Sequence, residues 1–121
     1  MAFVVVAEDA GTYAAWLANQ RRVAVAPTDS SALIGQRLFL EQSCSYCHTI
    51  RGTPSGAGVG PDLTHLASRR TLASGTIDFN RGNLAAWIEN PDRIKPGTTM
   101  PPVQLDGATL GALVAYLESL R

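Results

Sequence analysis

The feature that most constrains this chain is the run Cys44-Ser45-Tyr46-Cys47-His48, in which a histidine directly follows the second of two cysteines. Two cysteines three positions apart can both bond to the vinyl groups of one haem, and the next histidine is then held beneath the iron. The run therefore predicts one haem c, attached covalently through Cys44 and Cys47, with His48 as an axial ligand of the iron.

Two other chemistries use closely spaced cysteines, a redox-active disulfide and a zinc site. A thioredoxin-like disulfide follows a strand in a βαβ unit, whereas here a helical pattern precedes the motif and a glycine-rich loop follows it. A structural zinc site needs four ligands, and His65 is the one further cysteine or histidine in the chain. Both interpretations are weaker than haem attachment.

The iron of an electron-transfer haem needs a second axial ligand, and a methionine thioether raises the reduction potential relative to a second histidine. The chain has two methionines, Met1 and Met100. Met100 lies in the proline-rich segment 95–102, where prolines reduce the entropy lost when the loop is ordered. We expect Met100 to be the second ligand, and the alternative is an ordinary core methionine.

The composition describes one small folded unit. The chain has 121 residues, of which 45% are hydrophobic and 17% charged, and its formal net charge is zero. At this size a core forms more readily when a buried haem helps to fill it. The balanced charge disfavours nucleic acid as a partner, and no apolar run approaches the roughly 20 residues of a membrane-spanning helix.

The first seven residues are apolar but lack the basic start and the cleavage site of a signal peptide. Haem attachment to two cysteines takes place on the outer side of the bacterial membrane. We therefore expect this chain to be a fragment of a longer exported protein.

Hydrophobic periodicity predicts a mainly helical chain. The β-branched run at residues 3–6 predicts one short strand, and residues 9–22 predict an amphipathic helix that a linker at 23–31 follows. Later helices are expected over residues 32–42, 63–70 and 83–89 and after Asp106, with loops at 52–61 and 91–105.

Two residue-level expectations come from these patterns. In the helix at 63–70, Leu63 and Leu66 take the inward positions and His65 faces outward, which makes it a weak rival to Met100. The glycine-rich loop at 52–61 is expected to pass close to something bulky.

With the cysteine motif, the glycine loop and the methionine loop in this order, residues 31–121 resemble the class I cytochrome c fold. The resemblance implies an all-α domain of about four to five helices around one covalently bound haem. It also implies a close crossing of the first and last helices at Gly35, where Phe39, Leu113 and Tyr116 stand at the family's spacings. Finally, it implies that the carbonyl of Pro61 accepts a hydrogen bond from the proximal histidine.

Three segments of the second half, residues 60–69, 83–88 and 95–97, resemble more specifically the cytochrome c domain fused to subunit II of some bacterial cytochrome c oxidases. Residues 1–6 and the helix at Tyr13 resemble the end of that subunit's copper-binding domain. This implies that residues 1–27 are a remnant of a preceding cupredoxin domain plus a linker, and that residues 28–121 are the cytochrome c domain.

The same resemblance implies a function. The haem would accept single electrons from a soluble donor protein and pass them to the copper centre of subunit II, in a monomeric domain that performs no bond chemistry itself. The parent oxidoreductase complex, with its other subunits, would be anchored at the outer, periplasmic face of the bacterial cytoplasmic membrane. Trp87, Arg69 and Arg70 would contact the haem propionates, although an indole often belongs to the core and an arginine to the surface.

Two alternatives remain open at this point. One is a free-standing class I cytochrome c, and the other is a haem peroxidase or gas sensor whose sixth iron position stays open.

Overall fold

The computed structural model describes residues 4–121, and this part of the chain is mainly helical. A two-stranded antiparallel sheet pairs Thr71 with Asp78 and Leu72 with Ile77. The elements in chain order are α1 (Ala10–Arg21), α2 (Ser30–Glu41), β1 (Thr71–Leu72), β2 (Ile77–Asp78), α3 (Arg81–Glu89), α4 (Pro91–Ile94) and α5 (Gly107–Ser119). Single 3-10 turns lie at Ser43–Tyr46 and Leu66–Ser68.

Polar side chains cap the starts of the helices. Asp9, Asp29 and Asp106 accept hydrogen bonds from backbone N–H groups in the first turns of α1, α2 and α5. The predicted cap at Asp106 is confirmed, because its carboxylate accepts from the N–H groups of Ala108 and Thr109 at 3.0 Å each.

The core is built on the crossing of α2 and α5. A Cβ atom placed on Gly35 would lie 2.0 Å from the carbonyl oxygen of Ala112 and 2.7 Å from the Cβ of Tyr116, so the helices can meet this closely only at a glycine. Beside it, the rings of Phe39 and Tyr116 pack edge to face, with centroids 6.0 Å apart. Leu113 is buried in the same core. The crossing that the resemblance implied is therefore present.

The predicted strand at residues 3–6 is wrong for Val4–Val6, which are irregular and exposed, and Phe3 lies outside the described residues. A strand needs a partner for its backbone groups, and no described segment pairs with this one. The β-branched composition of this segment was not enough by itself to form a strand.

The predicted helix over residues 63–70 is also wrong beyond the single turn at Leu66–Ser68. The backbone of His65 has φ −122° and ψ 40°, outside the helical region, so a helix cannot continue through it. The N–H of Ala67, which in a helix would bond to the carbonyl of Leu63, donates instead to the carbonyl of Leu120 at 2.8 Å.

One helix and one hairpin were not predicted. Within the expected loop 91–105, α4 begins at Pro91, where the fixed φ suits the first helical position, and Asn90 caps it. The β1–β2 hairpin turns through Ala73 and Ser74, both at positive φ. Gly75, also at positive φ, and Ser74 are turn residues, but strands of two residues each are too short to leave an alternating pattern in the sequence.

None of the helices within residues 4–121 has the length and apolar character that a membrane crossing requires.

Candidate haem site

The cysteine motif forms one tight turn directly after α2. The N–H groups of Cys47 and His48 both donate to the carbonyl of Cys44, at 3.2 and 3.0 Å. A turn of this kind keeps the Cα atoms of residues three apart within about 7 Å. Both cysteines and the histidine therefore come from a single compact piece of backbone, as attachment to one flat cofactor requires.

Cys44 and Cys47 are free and half-buried, and Cys44 packs against the hydrophobic core. Burial raises the pKa of the Cys44 thiol, and the charge of Cys47 adds to this rise. A redox-active cysteine has the opposite property, a lowered pKa that keeps it as thiolate. The environment of Cys44 therefore suits a neutral thioether better than a reactive thiol.

The ring of His48 is oriented by a backbone carbonyl. Its Nδ1 lies 2.9 Å from the carbonyl oxygen of Pro61, so the bond implied by the resemblance is present. Because a carbonyl can only accept, Nδ1 carries the proton, and in the neutral ring Nε2 keeps its lone pair. Nε2 is therefore the nitrogen that can bind iron.

Gly60 lies directly against this ring. A Cβ atom placed on Gly60 would be 2.7 Å from Cε1 and 2.8 Å from Nδ1 of His48. The bulky group that the glycine loop passes includes the ring of His48, and Gly60 is the residue that permits the contact. By contrast, a Cβ on Gly58 would meet nothing within 4 Å. The sequence marked the loop as a whole but did not distinguish these glycines.

Two hydroxyl groups, neither of them predicted from the sequence, bond the glycine loop to the motif. The hydroxyl of Ser55, itself buried, donates to the carbonyl of His48 at 2.6 Å. The hydroxyl of Thr49 donates to the carbonyl of Ala57 at 2.7 Å. Serine and threonine are common in loops, so nothing in their local sequence indicated these roles.

Met100 is half-buried in the irregular segment between α4 and α5. Two hydrogen bonds hold this segment near its ends: the N–H of Gly97 donates to the Asp92 carboxylate at 2.8 Å, and the N–H of Val103 donates to the carbonyl of Ile88 at 3.3 Å. The loop is thus restrained on both sides of the methionine, and Met100 as the second ligand stays a prediction.

The predicted propionate contacts also stay predictions. Trp87 lies on α3 and is half-buried. Arg69 is exposed, and its guanidinium donates to the carbonyl of Asp62, the residue after Pro61. Arg70 is exposed as well.

The prediction that His65 faces outward is wrong. Only 8% of the residue is exposed, and its Nε2 lies 3.2 Å from the carbonyl oxygen of Arg22. The orientation was inferred from a helical period that does not exist at residues 63–65, where the backbone is irregular. His65 therefore contacts the segment that follows α1.

Within residues 4–121, no cluster of three or more His, Cys, Asp or Glu side chains could hold a metal ion.

The helix crossing at Gly35, the turn of Cys44–His48 and the histidine ring held by Pro61 together define a c-type cytochrome domain. The comparison with protein families agrees: the model described as Cytochrome c matches residues 32–121. The chain belongs to the cytochrome c family, and the predicted class I fold is confirmed.

The chain is also similar to several curated proteins. It is 35% identical over 122 residues to cytochrome c oxidase subunit 2 of Alkalihalophilus pseudofirmus and 29% identical over 125 residues to that of Bacillus subtilis. Both matches cover 100% of this chain and 35% of the relative, so the chain spans about a third of the length of these proteins. Cytochrome c2 of Rhodopila globiformis is 31% identical over 72% of this chain and 91% of its own length. The resemblance to a cytochrome c domain of subunit II is confirmed.

Proposed function

We propose that this chain transfers single electrons through one haem c, attached through Cys44 and Cys47, with His48 and Met100 as the two axial ligands. The observation that carries the proposal is the 2.9 Å contact between Nδ1 of His48 and the carbonyl of Pro61. It sets the tautomer and the orientation that an iron ligand needs. Membership of the cytochrome c family supports the same conclusion.

When bound, the haem supplies a one-electron couple between ferric and ferrous iron. The protein keeps the ligands in place. The hydrogen bond from His48 to the carbonyl of Pro61 fixes the ring and strengthens its donation to a metal. The ring packs closely against Gly60, where there is no room even for a Cβ atom. The hydroxyl of Ser55 bonds to the backbone carbonyl of His48 and so restrains the backbone. A site held from several sides changes little between two oxidation states.

We further propose that the chain is the electron-input domain of a subunit II of a terminal oxidase. The support is that the two subunit 2 relatives match 100% of this chain, whereas the family model begins at residue 32. Residues 1–27 would then be the end of a copper-binding domain plus its linker, and residues 28–121 the cytochrome c domain. The electron would come from a soluble donor protein and pass to the copper centre, at the outer face of the cytoplasmic membrane.

Absorption spectroscopy and mass spectrometry of the chain, matured with a haem-attachment apparatus, test this function. We expect a mass increase of one haem, which Cys44→Ala with Cys47→Ala abolishes. The oxidised protein should be low-spin and show a methionine-sulfur charge-transfer band. A high-spin spectrum that changes on addition of peroxide would contradict electron transfer and support an open sixth position.

A further inference from the structure

The first helix, α1, is not held by hydrophobic packing. None of its residues is buried, and its aromatic side chains Tyr13 and Trp16 are 53% and 51% exposed. A helix of 12 residues is marginal in water on its own. Other contacts must therefore fix α1 to the rest of the domain.

Those contacts lie where α1 ends, and they are polar. The Nη2 of Arg51 donates to the carbonyl of Gln20 at 2.7 Å, and Nε2 of His65 lies 3.2 Å from the carbonyl of Arg22. The N–H of Ala24 donates to the carbonyl of Arg51 at 2.9 Å. Carbonyls at a helix C-terminus lack partners inside the helix, and a cation there also meets the negative end of the helix dipole.

Packing supports the same attachment. Gly52 has a φ of +91°, and a Cβ atom on it would lie 2.9 Å from the Cβ of Val23. The chain between residues 20 and 24 therefore runs in contact with the backbone that follows the haem motif.

Arg51 connects this attachment to the site. The side-chain Nε of Arg51 lies 3.2 Å from a carboxylate oxygen of Asp62. The backbone N–H of Arg51 donates to the hydroxyl of Thr64 at 2.9 Å. Asp62 directly follows Pro61, whose carbonyl holds the ring of His48. One arginine thus bridges the end of α1 and the loop that orients the proposed iron ligand.

We propose that Arg51 and His65 form a clamp that fixes α1 beside the proximal side of the haem site, as positioning residues for electron exit. If α1 leads back to a copper domain, the clamp keeps the two redox centres at one separation, on which the transfer rate depends steeply. This consequence rests on the proposed function, whereas the placement of α1 by the clamp does not.

Hydrogen–deuterium exchange of the holoprotein tests the placement. In the variant Arg51→Ala with His65→Leu, we expect the protection of the α1 amides to fall by about tenfold for each hydrogen bond lost. The amides of α5 should keep their protection. Arg81→Ala is the matched control, because it removes the surface ion pair with Glu118 far from α1 in sequence and should leave α1 protected.

The position of α1 is reported by Trp16, whose fluorescence the haem quenches in a distance-dependent way. The emission of Trp16 is obtained in each background as the difference from the same protein with Trp16→Phe. We expect its lifetime to lengthen in the double variant and to recover in His65→Gln, whose amide keeps a donor for the carbonyl of Arg22. An unchanged lifetime with unchanged α1 protection would refute the clamp.

The rate of electron transfer from haem to copper, measured in a longer protein that includes the proposed copper domain, distinguishes the clamp from the proposed function. If the clamp variant shows a displaced α1 but an unchanged rate of electron transfer from haem to copper, the clamp stands and its proposed effect on the separation of the two redox centres fails. If the rate falls while the haem reduction potential is unchanged, both proposals are supported.

Discussion

Replacing Gly60 with alanine tests how far the His48 ring depends on its contact with the glycine loop. The added Cβ would lie 2.7 Å from Cε1 and 2.8 Å from Nδ1 of the ring, against an ordinary contact distance of about 3.5–4.0 Å. The ring must therefore retreat by about 1 Å, relative to the favourable separation. That movement strains or breaks the 2.9 Å bond between Nδ1 and Pro61.

The magnitude has two parts. Forcing an extra carbon into a packed site costs about 1–3 kcal/mol, and losing one hydrogen bond costs about 1 kcal/mol. We expect the free energy of unfolding of the holoprotein to fall by about 2–4 kcal/mol. For a domain of this size the thermal midpoint would fall by roughly 10 °C.

Gly58→Ala is the matched control for this substitution. A Cβ at Gly58 meets nothing within 4 Å, and neither Gly58 nor Gly60 has a backbone conformation reserved for glycine. The control should be neutral or stabilise slightly, because alanine lowers the entropy of the unfolded chain. The assay is thermal unfolding of both holoproteins, followed by a reductive titration.

Equal midpoints for Gly60→Ala and Gly58→Ala would refute this reasoning. A Gly60→Ala protein that is destabilised but keeps the wild-type spectrum and reduction potential would refute it as well, because the lost stability would then not come from a displaced His48 ring.

Three further predictions address the ligand set, the core and the acid stability. Met100→Ala should lower the reduction potential in a potentiometric titration, because it removes a thioether ligand; an unchanged potential means that Met100 does not bind the iron. Gly35→Ala should cost more than about 3 kcal/mol or prevent folding, since its Cβ would lie 2.0 Å from a backbone oxygen of α5. Gly111→Ala, which meets nothing within 4 Å, should be tolerated in the same denaturation assay. For Asp62, burial raises the pKa, but bonds from Thr64 and the charge of Arg51 outweigh it, so the pKa lies below the ordinary 3.8. The ionised group therefore stabilises the folded state above pH 3.8 and loses this effect as the pH falls through its lowered pKa. Asp62→Asn should thus be less stable than the wild type near neutral pH, and the difference should shrink below pH 3.8; a difference independent of pH contradicts the assignment.

The attachment motif and the two central helices could be predicted from the sequence because their signals are local. Cys44, Cys47 and His48 are neighbours in the chain, and α2 and α5 carry their caps and apolar periods within their own residues. The contacts at Gly35 and Pro61 came from the resemblance to class I cytochromes c, and both are present.

What only the tertiary structure decided depends on groups from distant parts of the chain. His65 is buried and its Nε2 contacts the carbonyl oxygen of Arg22, 43 positions away, and the guanidinium of Arg51 donates to the carbonyl of Gln20 across 31 positions. Gly60 differs from Gly58 only through what lies beside it. No local pattern records which backbone carbonyl or ring will face a side chain, because that is set when separate segments pack. The sequence by itself therefore determined the motif proposed to attach the haem, and packing decided how the ring of His48 and the first helix are held in place.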